Sequence, residues 1–150
     1  MQEIKENNEV LEQTTEPKTL EDFLLGSDIN HVTNKVRISN RFPDKEEFYF
    51  EVKAMTAEEK EKCRKMSYTI NSRGERIFNG SKFAKKVIIG QTLKPRFDSI
   101  DLMNKAGAYT PEECVDKLLL SGEQETLVQI ISEISGFDNP LKYLVDQAKN

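Results

Sequence analysis

The spacing of hydrophobic positions changes character along the chain. In residues 35–55 the period is two. Val36, Ile38, Asn40 and Phe42 alternate with Arg37, Ser39 and Arg41, and Phe48, Phe50, Val52 and Ala54 alternate with Tyr49, Glu51 and Lys53. Two such runs around Pro43-Asp44-Lys45-Glu46 predict an antiparallel hairpin with one apolar face. A lone hairpin is marginal in water, so that face must pack on helices or on another chain's strands.

From Thr56 onward the spacing turns helical. Thr56-Ala57-Glu58-Glu59 is a capping box, and Cys63, Met66 and Ile70 follow as a narrow apolar stripe that Asn71-Ser72-Arg73-Gly74 ends. A second helix is expected from Asn79, with Phe83, Ala84, Val87 and Ile88 on one face and Gly90 and Pro95 bounding its end at about Leu93. Asp98 is the expected cap of a short helix holding Ile100, Leu102, Met103 and Ala106, closed by Gly107. Thr110-Pro111-Glu112-Glu113 sets Thr at N-cap, Pro at N1 and Glu at N3. Cys114, Val115, Leu118 and Leu119 then share a face, and Ser121-Gly122-Glu123-Gln124 stops one helix and starts the next. Leu127, Ile130, Ile131 and Ile134 form a regular stripe that ends at Gly136, with Phe137 beyond it, the pattern of a glycine C-cap. Asn139-Pro140 restarts a last helix with Leu141, Leu144, Val145 and Ala148. The expected class is α+β: an N-terminal antiparallel β-hairpin followed by a mainly α-helical bundle of about five short helices. No internal repeat is visible.

The N-terminal region reads differently. Residues 1–18 hold five acids and two bases and few large apolar groups, so burying Ile4, Val10 and Leu11 does not repay the entropy of ordering them. They are expected to be a flexible acidic leader. Residues 19–34 follow as a short helix and linker, and residues 35–150 as the α+β domain. Thr19 caps Leu20-Glu21-Asp22-Phe23-Leu24-Leu25, and Gly26 stops it. That helix either docks on its own domain or is presented to a partner.

Composition narrows the function classes. The chain has 150 residues, 37% apolar and 32% charged, with a net charge of -4. The leader accounts for -3 of that, so the rest is nearly neutral and lacks a field for general nucleic-acid steering. Its longest apolar runs are only three residues, as in Val87-Ile88-Ile89 and Leu118-Leu119-Leu120, far short of the ~20 that a membrane span needs. Met1-Gln2-Glu3-Ile4-Lys5-Glu6 carries no secretory pattern. Cys63 and Cys114 lie far apart, and free thiols in a cytosolic chain are the simplest reading.

Candidate chemistry is sparse. His31 lies in a polar stretch whose nearest acid is Asp28, and it reads as an ordinary loop residue. Both cysteines sit in apolar helical stripes and read as buried thiols, although Lys62, Arg64 and Lys65 flank Cys63. Lys82, Lys85, Lys86, Lys94 and Arg96, interleaved with Phe83 and Phe97, could hold phosphate, but a solvated helix face explains them more simply. The acids read as caps and solvent faces, and no phosphate-binding glycine motif occurs. No catalytic residue, metal ligand or cofactor is expected, so binding or assembly leads over catalysis.

An ordered set of landmarks over about residues 35–140 resembles the XkdN-like phage tail assembly chaperones. These are Ser39-Asn40-Arg41-Phe42 with the Phe48–Ala54 strand, then Met55-Thr56-Ala57-Glu58-Glu59, then Pro95 and Ala106-Gly107-Ala108-Tyr109-Thr110-Pro111. Leu120-Ser121-Gly122-Glu123 and Ile134-Ser135-Gly136-Phe137-Asp138 complete the set. The resemblance implies a non-enzymatic chaperone in the host cytoplasm of a phage, prophage or phage-tail-like particle with a contractile tail. It would bind the tape measure protein, keep it soluble until tail tube protein polymerises around it, and leave before the tail is finished. Homo-oligomer formation is compatible with this; nucleic acid and membrane are not expected partners. A structural tail component, such as a connector or tube-associated protein, is the alternative, and a small nucleic-acid-binding regulator comes third. The expected partner contacts are Leu20, Phe23 and Leu24 on the short helix and Phe42, Phe48 and Phe50 on the hairpin. The competing expectation is that these side chains close the protein's own core.

Overall fold

In a computed structural model, the structure describes residues 16–137. The predicted last helix, with Leu141, Leu144, Val145 and Ala148, and most of the leader lie outside the described residues.

Helix α1 (Leu20–Gly26) starts where Thr19 Oγ1 accepts a hydrogen bond from the Asp22 amide at 3.1 Å. A single 3-10 turn (Ile29–His31) leads into strand β1 (Thr33–Val36), which pairs antiparallel with β2 (Phe50–Lys53) in the register Val36 opposite Phe50 and Thr33 opposite Lys53. The expected hairpin is present, but its first strand ends earlier than the alternation suggests. Arg37 explains the stop: its guanidinium donates to the carbonyls of Phe42 (2.8 Å) and Asn40 (3.3 Å) and folds residues 37–42 into a turn. Ile38 is buried from that turn.

The hairpin is not two-stranded in its sheet. Strand β2 is the centre of the order β1-β2-β5, because β5 (Thr92–Lys94) pairs antiparallel along its other edge, Val52 opposite Thr92. The sequence reading carried the preceding helix through Leu93. In the structure that helix, α3 (Gly80–Gln91), contains Gly90 and stops one residue later, and the chain enters β5 directly, with a cis Lys94–Pro95 bond beyond it.

A second difference concerns α2 (Ala57–Lys65). Its capping box forms as expected: Thr56 Oγ1 accepts from the Glu59 amide, and Glu59 Oε1 accepts from the Thr56 amide. The helix ends before Met66, however, and Ile70 lies on strand β3 (Tyr68–Ile70), paired with β4 (Arg76–Phe78). Asn71 and Gly74, read from sequence as a helix stop, form the turn of this second hairpin. Asn71 Oδ1 accepts from the amides of Arg73 and Glu75, and Gly74 adopts φ +78°. Ser67 is fully buried at the junction, its hydroxyl donating to the Cys63 carbonyl and its own carbonyl accepting from the Asn79 amide.

Three further helices follow: α4 (Ile100–Ala106), α5 (Pro111–Leu118) and α6 (Ser121–Ile134). Ser99, not Asp98, caps α4; Asp98 is held instead by Arg96. Gly107 closes α4 at φ +70° and Gly136 follows α6 at φ +92°. Thus, among the described residues, β1 and β2 are followed by five helices, α2 to α6, as the α+β reading anticipates. Helix α3 packs on α2, α5 and α6, and β2 packs on α6. Val52, Val87, Ile88, Phe97, Cys114, Val115, Leu127 and Ile131 form the solvent-free centre.

Candidate functional site

Two landmark stretches of the sequence meet at Glu123. Its carboxylate is buried in the first turn of α6, where helix N-termini favour negative charge. It accepts hydrogen bonds from Ser39 Oγ (2.6 Å), Arg41 Nε (2.9 Å), Arg41 Nη2 (2.7 Å) and the Leu120 amide (2.8 Å). Arg41 Nη2 also donates to the Leu118 carbonyl at 3.1 Å, and the guanidinium lies 4.7 Å from the centre of the Phe42 ring. The Arg41 hydrogen bonds hold the Glu123 carboxyl at a pKa of about 2. Burial opposes them, and the bonds from Ser39 and Leu120 add to them. The sequence reading gave Glu123 a capping role alone; its 82-residue link to Arg41 carries no local signal.

A second pair of landmarks meets at the start of α2. Ser135 Oγ accepts from the Met55 amide at 2.7 Å and donates to the Ile131 carbonyl at 2.5 Å. The Lys60 ammonium lies 4.5 Å from the centre of the Phe137 ring. Gln91, also buried, donates to the Ala54 carbonyl at 3.0 Å. These contacts fasten the sheet to α3 and α6. They position side chains rather than bring reacting groups together.

The candidate chemical groups are dispersed. His31 is exposed, with Nε2 3.4 Å from Asp28. Cys63 and Cys114 are buried free thiols, and burial raises the pKa of both. Of the five candidate phosphate-binding cations, three have acidic partners: Lys85 with Asp116 (2.7 Å), Lys86 with Glu112 (2.5 Å) and Arg96 with Asp98 (2.8 Å). Among the described residues no group of three His, Cys, Asp or Glu side chains is placed to share a metal ion. No helix among them is long and apolar enough to cross a membrane.

The six expected contact residues fall into two groups. Leu20, Phe23 and Leu24 are 68%, 54% and 62% exposed, and no residue of α1 is buried. Phe42, Phe48 and Phe50 line one shallow depression of about 230 Å³ with Tyr49, Lys94 and Pro95. Within it Phe50 is a core residue, 5% exposed, with the half-buried Phe42 edge-on to it at 5.3 Å, and Phe48 faces outward. No α1 residue lines that depression. Two surfaces were not anticipated. A groove of about 490 Å³ runs between α3 and α6, lined by Ser81, Ala84, Ser121, Gln124, Val128 and Ser132 among others. The β3–β4 hairpin exposes Ile70, Ile77 and Phe78.

The described residues form a small α+β domain that the Ser39–Arg41–Glu123 and Met55–Ser135 hydrogen bonds tie together and that leaves the apolar side chains of α1 in solvent. The chain belongs to the phage XkdN-like tail assembly chaperone family, whose sequence model matches residues 20–149. It is 30% identical over 135 residues to the phage-like element PBSX protein XkdN of Bacillus subtilis (strain 168), which covers 85% of this chain and 91% of that protein. It is 30% identical over 137 residues to the uncharacterized protein YqbN of the same organism, again covering 85% and 91%. The crystal structure of YqbN superposes with a TM-score of 0.62 at 25% identity, covering 82% of this chain and all of that one.

Proposed function

We propose that this protein is a non-enzymatic chaperone that binds the tape measure protein, keeps it soluble in the host cytoplasm and promotes assembly of the tail tube around it. Membership of the tail assembly chaperone family supports the reading. The observation that carries it is α1, which leaves Leu20, Phe23, Leu24 and Leu25 in solvent. Covering one such side chain is worth about 1.5–3 kcal/mol, so a helix that forgoes this within its own fold is suited to gaining it from a partner. A tape measure with apolar helical stripes offers a matching surface, helix against groove.

Co-expression with the tape measure protein tests this. The double variant Phe23→Ser with Leu24→Asp should stay folded by circular dichroism and lose the tape measure from the soluble fraction. A tape measure that remains soluble removes α1 as the contact. Recovery of the protein in purified particles would make it a tail component instead.

A further inference from the structure

Residues 60–86 carry nine bases and two acids, a net charge of +7 in a chain whose total is -4. Among the described residues Lys62, Lys65, Arg73, Arg76 and Lys82 of this stretch have no carboxylate partner. All of these but Lys82 are exposed. Arg73 lies in the β3–β4 turn and Arg76 on β4 itself. The hairpin's backbone adds a second feature. The Asn71 amide donates to the Glu75 carbonyl (3.0 Å) and the Asn79 amide to the Ser67 carbonyl (2.7 Å). Antiparallel pairs alternate between bonded and non-bonded, so Thr69–Ile77 is the bonded pair between these two. Tyr68 and Ile70 on one strand, and Arg76 and Phe78 on the other, therefore turn their amides and carbonyls outward. The two strands form a sheet of their own, with no third strand on either edge among the described residues. The β4 edge is the more open one. Arg76, Ile77 and Phe78 are all exposed, whereas Tyr68 of β3 is half-buried, its hydroxyl accepting from Arg64 at 2.8 Å.

We propose that β4 takes up an acidic, extended segment of a partner protein as a third strand. This is a second surface, and it does not rest on the partner assigned to α1. An unpaired edge supplies the main-chain hydrogen bonds, and the side chains beside it decide which strand fits. Successive residues of a strand point to opposite faces, so Arg76 and Phe78 share one face and Ile77 lies on the other. A strand that alternates carboxylates with apolar groups sets its carboxylates on the face of Arg76 and its apolar groups beside the exposed Ile77. Arg73 and the surplus positive charge around the hairpin add attraction at longer range. Nucleic acid suits the surface less well. Bases stack on open ring faces, and the rings here are engaged. The Arg76 guanidinium lies 4.8 Å from the centre of the Tyr68 ring, and Phe78 packs against Tyr68 at 5.7 Å and Phe83 at 5.6 Å. A phosphate backbone also brings nothing apolar to Ile77.

The experiment uses the full chain and, as probe, a short synthetic peptide of alternating glutamate and valine. With the peptide bound, amide exchange followed by NMR should slow about tenfold at Arg76 and Phe78, the outward groups of β4, and stay unchanged at Tyr68 and Ile70. This readout needs no variant. Affinity should fall about tenfold when salt is raised, because the screening length shrinks from about 10 Å at 0.1 M to about 3 Å at 1 M. Arg73→Glu with Arg76→Glu should weaken binding about tenfold with an unchanged circular dichroism spectrum, and a peptide of alternating lysine and valine should bind that variant instead. No binding, salt-insensitive binding, binding of the lysine peptide by the parent protein, or protection at Tyr68 and Ile70 in place of Arg76 and Phe78 overturns the proposal. So does equal protection by an oligothymidylate, which would assign the surface to single-stranded nucleic acid.

Discussion

Arg41 grips Glu123 through two nitrogens, Nε and Nη2, across 82 residues of sequence, and the same carboxylate holds Ser39 and the Leu120 amide. One buried side chain therefore joins the loop after β1 to the start of α6. Removing it strands several donors at once. Glu123→Ala should destabilise the domain by about 1.5–3 kcal/mol, the net worth of a hydrogen bond to a charged group, because the donors it leaves are half-buried or exposed and can turn to water. Urea denaturation measures this, and a midpoint matching the parent protein would show that the network does not hold the loop.

The same residue sets an acid limb of stability. The Glu123 pKa is lowered from 4.5 to about 2, chiefly by its hydrogen bonds from Arg41, so the folded state favours the ionised form. The stabilisation is complete above the unfolded value and is lost as pH falls through the folded one, between about 4.5 and 2. In Glu123→Gln this part of the slope should be missing. Among the described residues the remaining slope comes from Glu59, Glu61, Glu112, Glu113 and Asp116, whose pKa values are also lowered. Denaturation midpoints from pH 7 to pH 2 for both proteins give the comparison.

The α6 core offers a test of packing and of backbone separately. Ile131 is fully buried, so Ile131→Ala should cost about 2–5 kcal/mol. Gly136 sits at φ +92° with open space where a Cβ would stand. Gly136→Val should thus destabilise by about 1–2 kcal/mol through the left-handed backbone alone. Equal stability of both variants and the parent would refute the α6 assignment.

Removal of residues 1–18 should shift the thermal midpoint by no more than about 2 °C, because a stretch with so few large apolar groups has little to add to the core. Calorimetry of the chain beginning at Thr19 checks this. A drop of many degrees would mean that the leader packs into the domain.

What was legible in the sequence was what is local. Thr19, Thr56, Asn79 and Thr110 each cap the helix expected of them, because a cap is made with an amide three residues away. Strand β5 has no such signature: Thr92-Leu93-Lys94 is too short to show a period, and only pairing with β2 makes it a strand. Ile70 sits at helical spacing from Cys63 and Met66 by coincidence, and its pairing with Arg76 decides its conformation. The candidate site divides the same way. The exposure of α1 depends on whether the rest of the fold offers it a seat, and Phe50 went inside because β2 became the central strand. The Ser39–Arg41–Glu123 and Met55–Ser135 contacts were the least legible, since nothing in either partner's neighbourhood announces the other.

The Met55–Ser135 hydrogen bond, 80 residues apart in sequence, has a consequence for synthesis. At about 5–20 residues per second, a ribosome needs roughly 4–16 s to travel from one partner to the other. During that interval β2 has left the ribosome before the α6 residues that fasten it, so its apolar face waits without its final cover. The nascent chain is thus in the condition ascribed here to a tape measure, an apolar surface made before its covering arrives. A gene truncated before Ser121 would leave it there permanently.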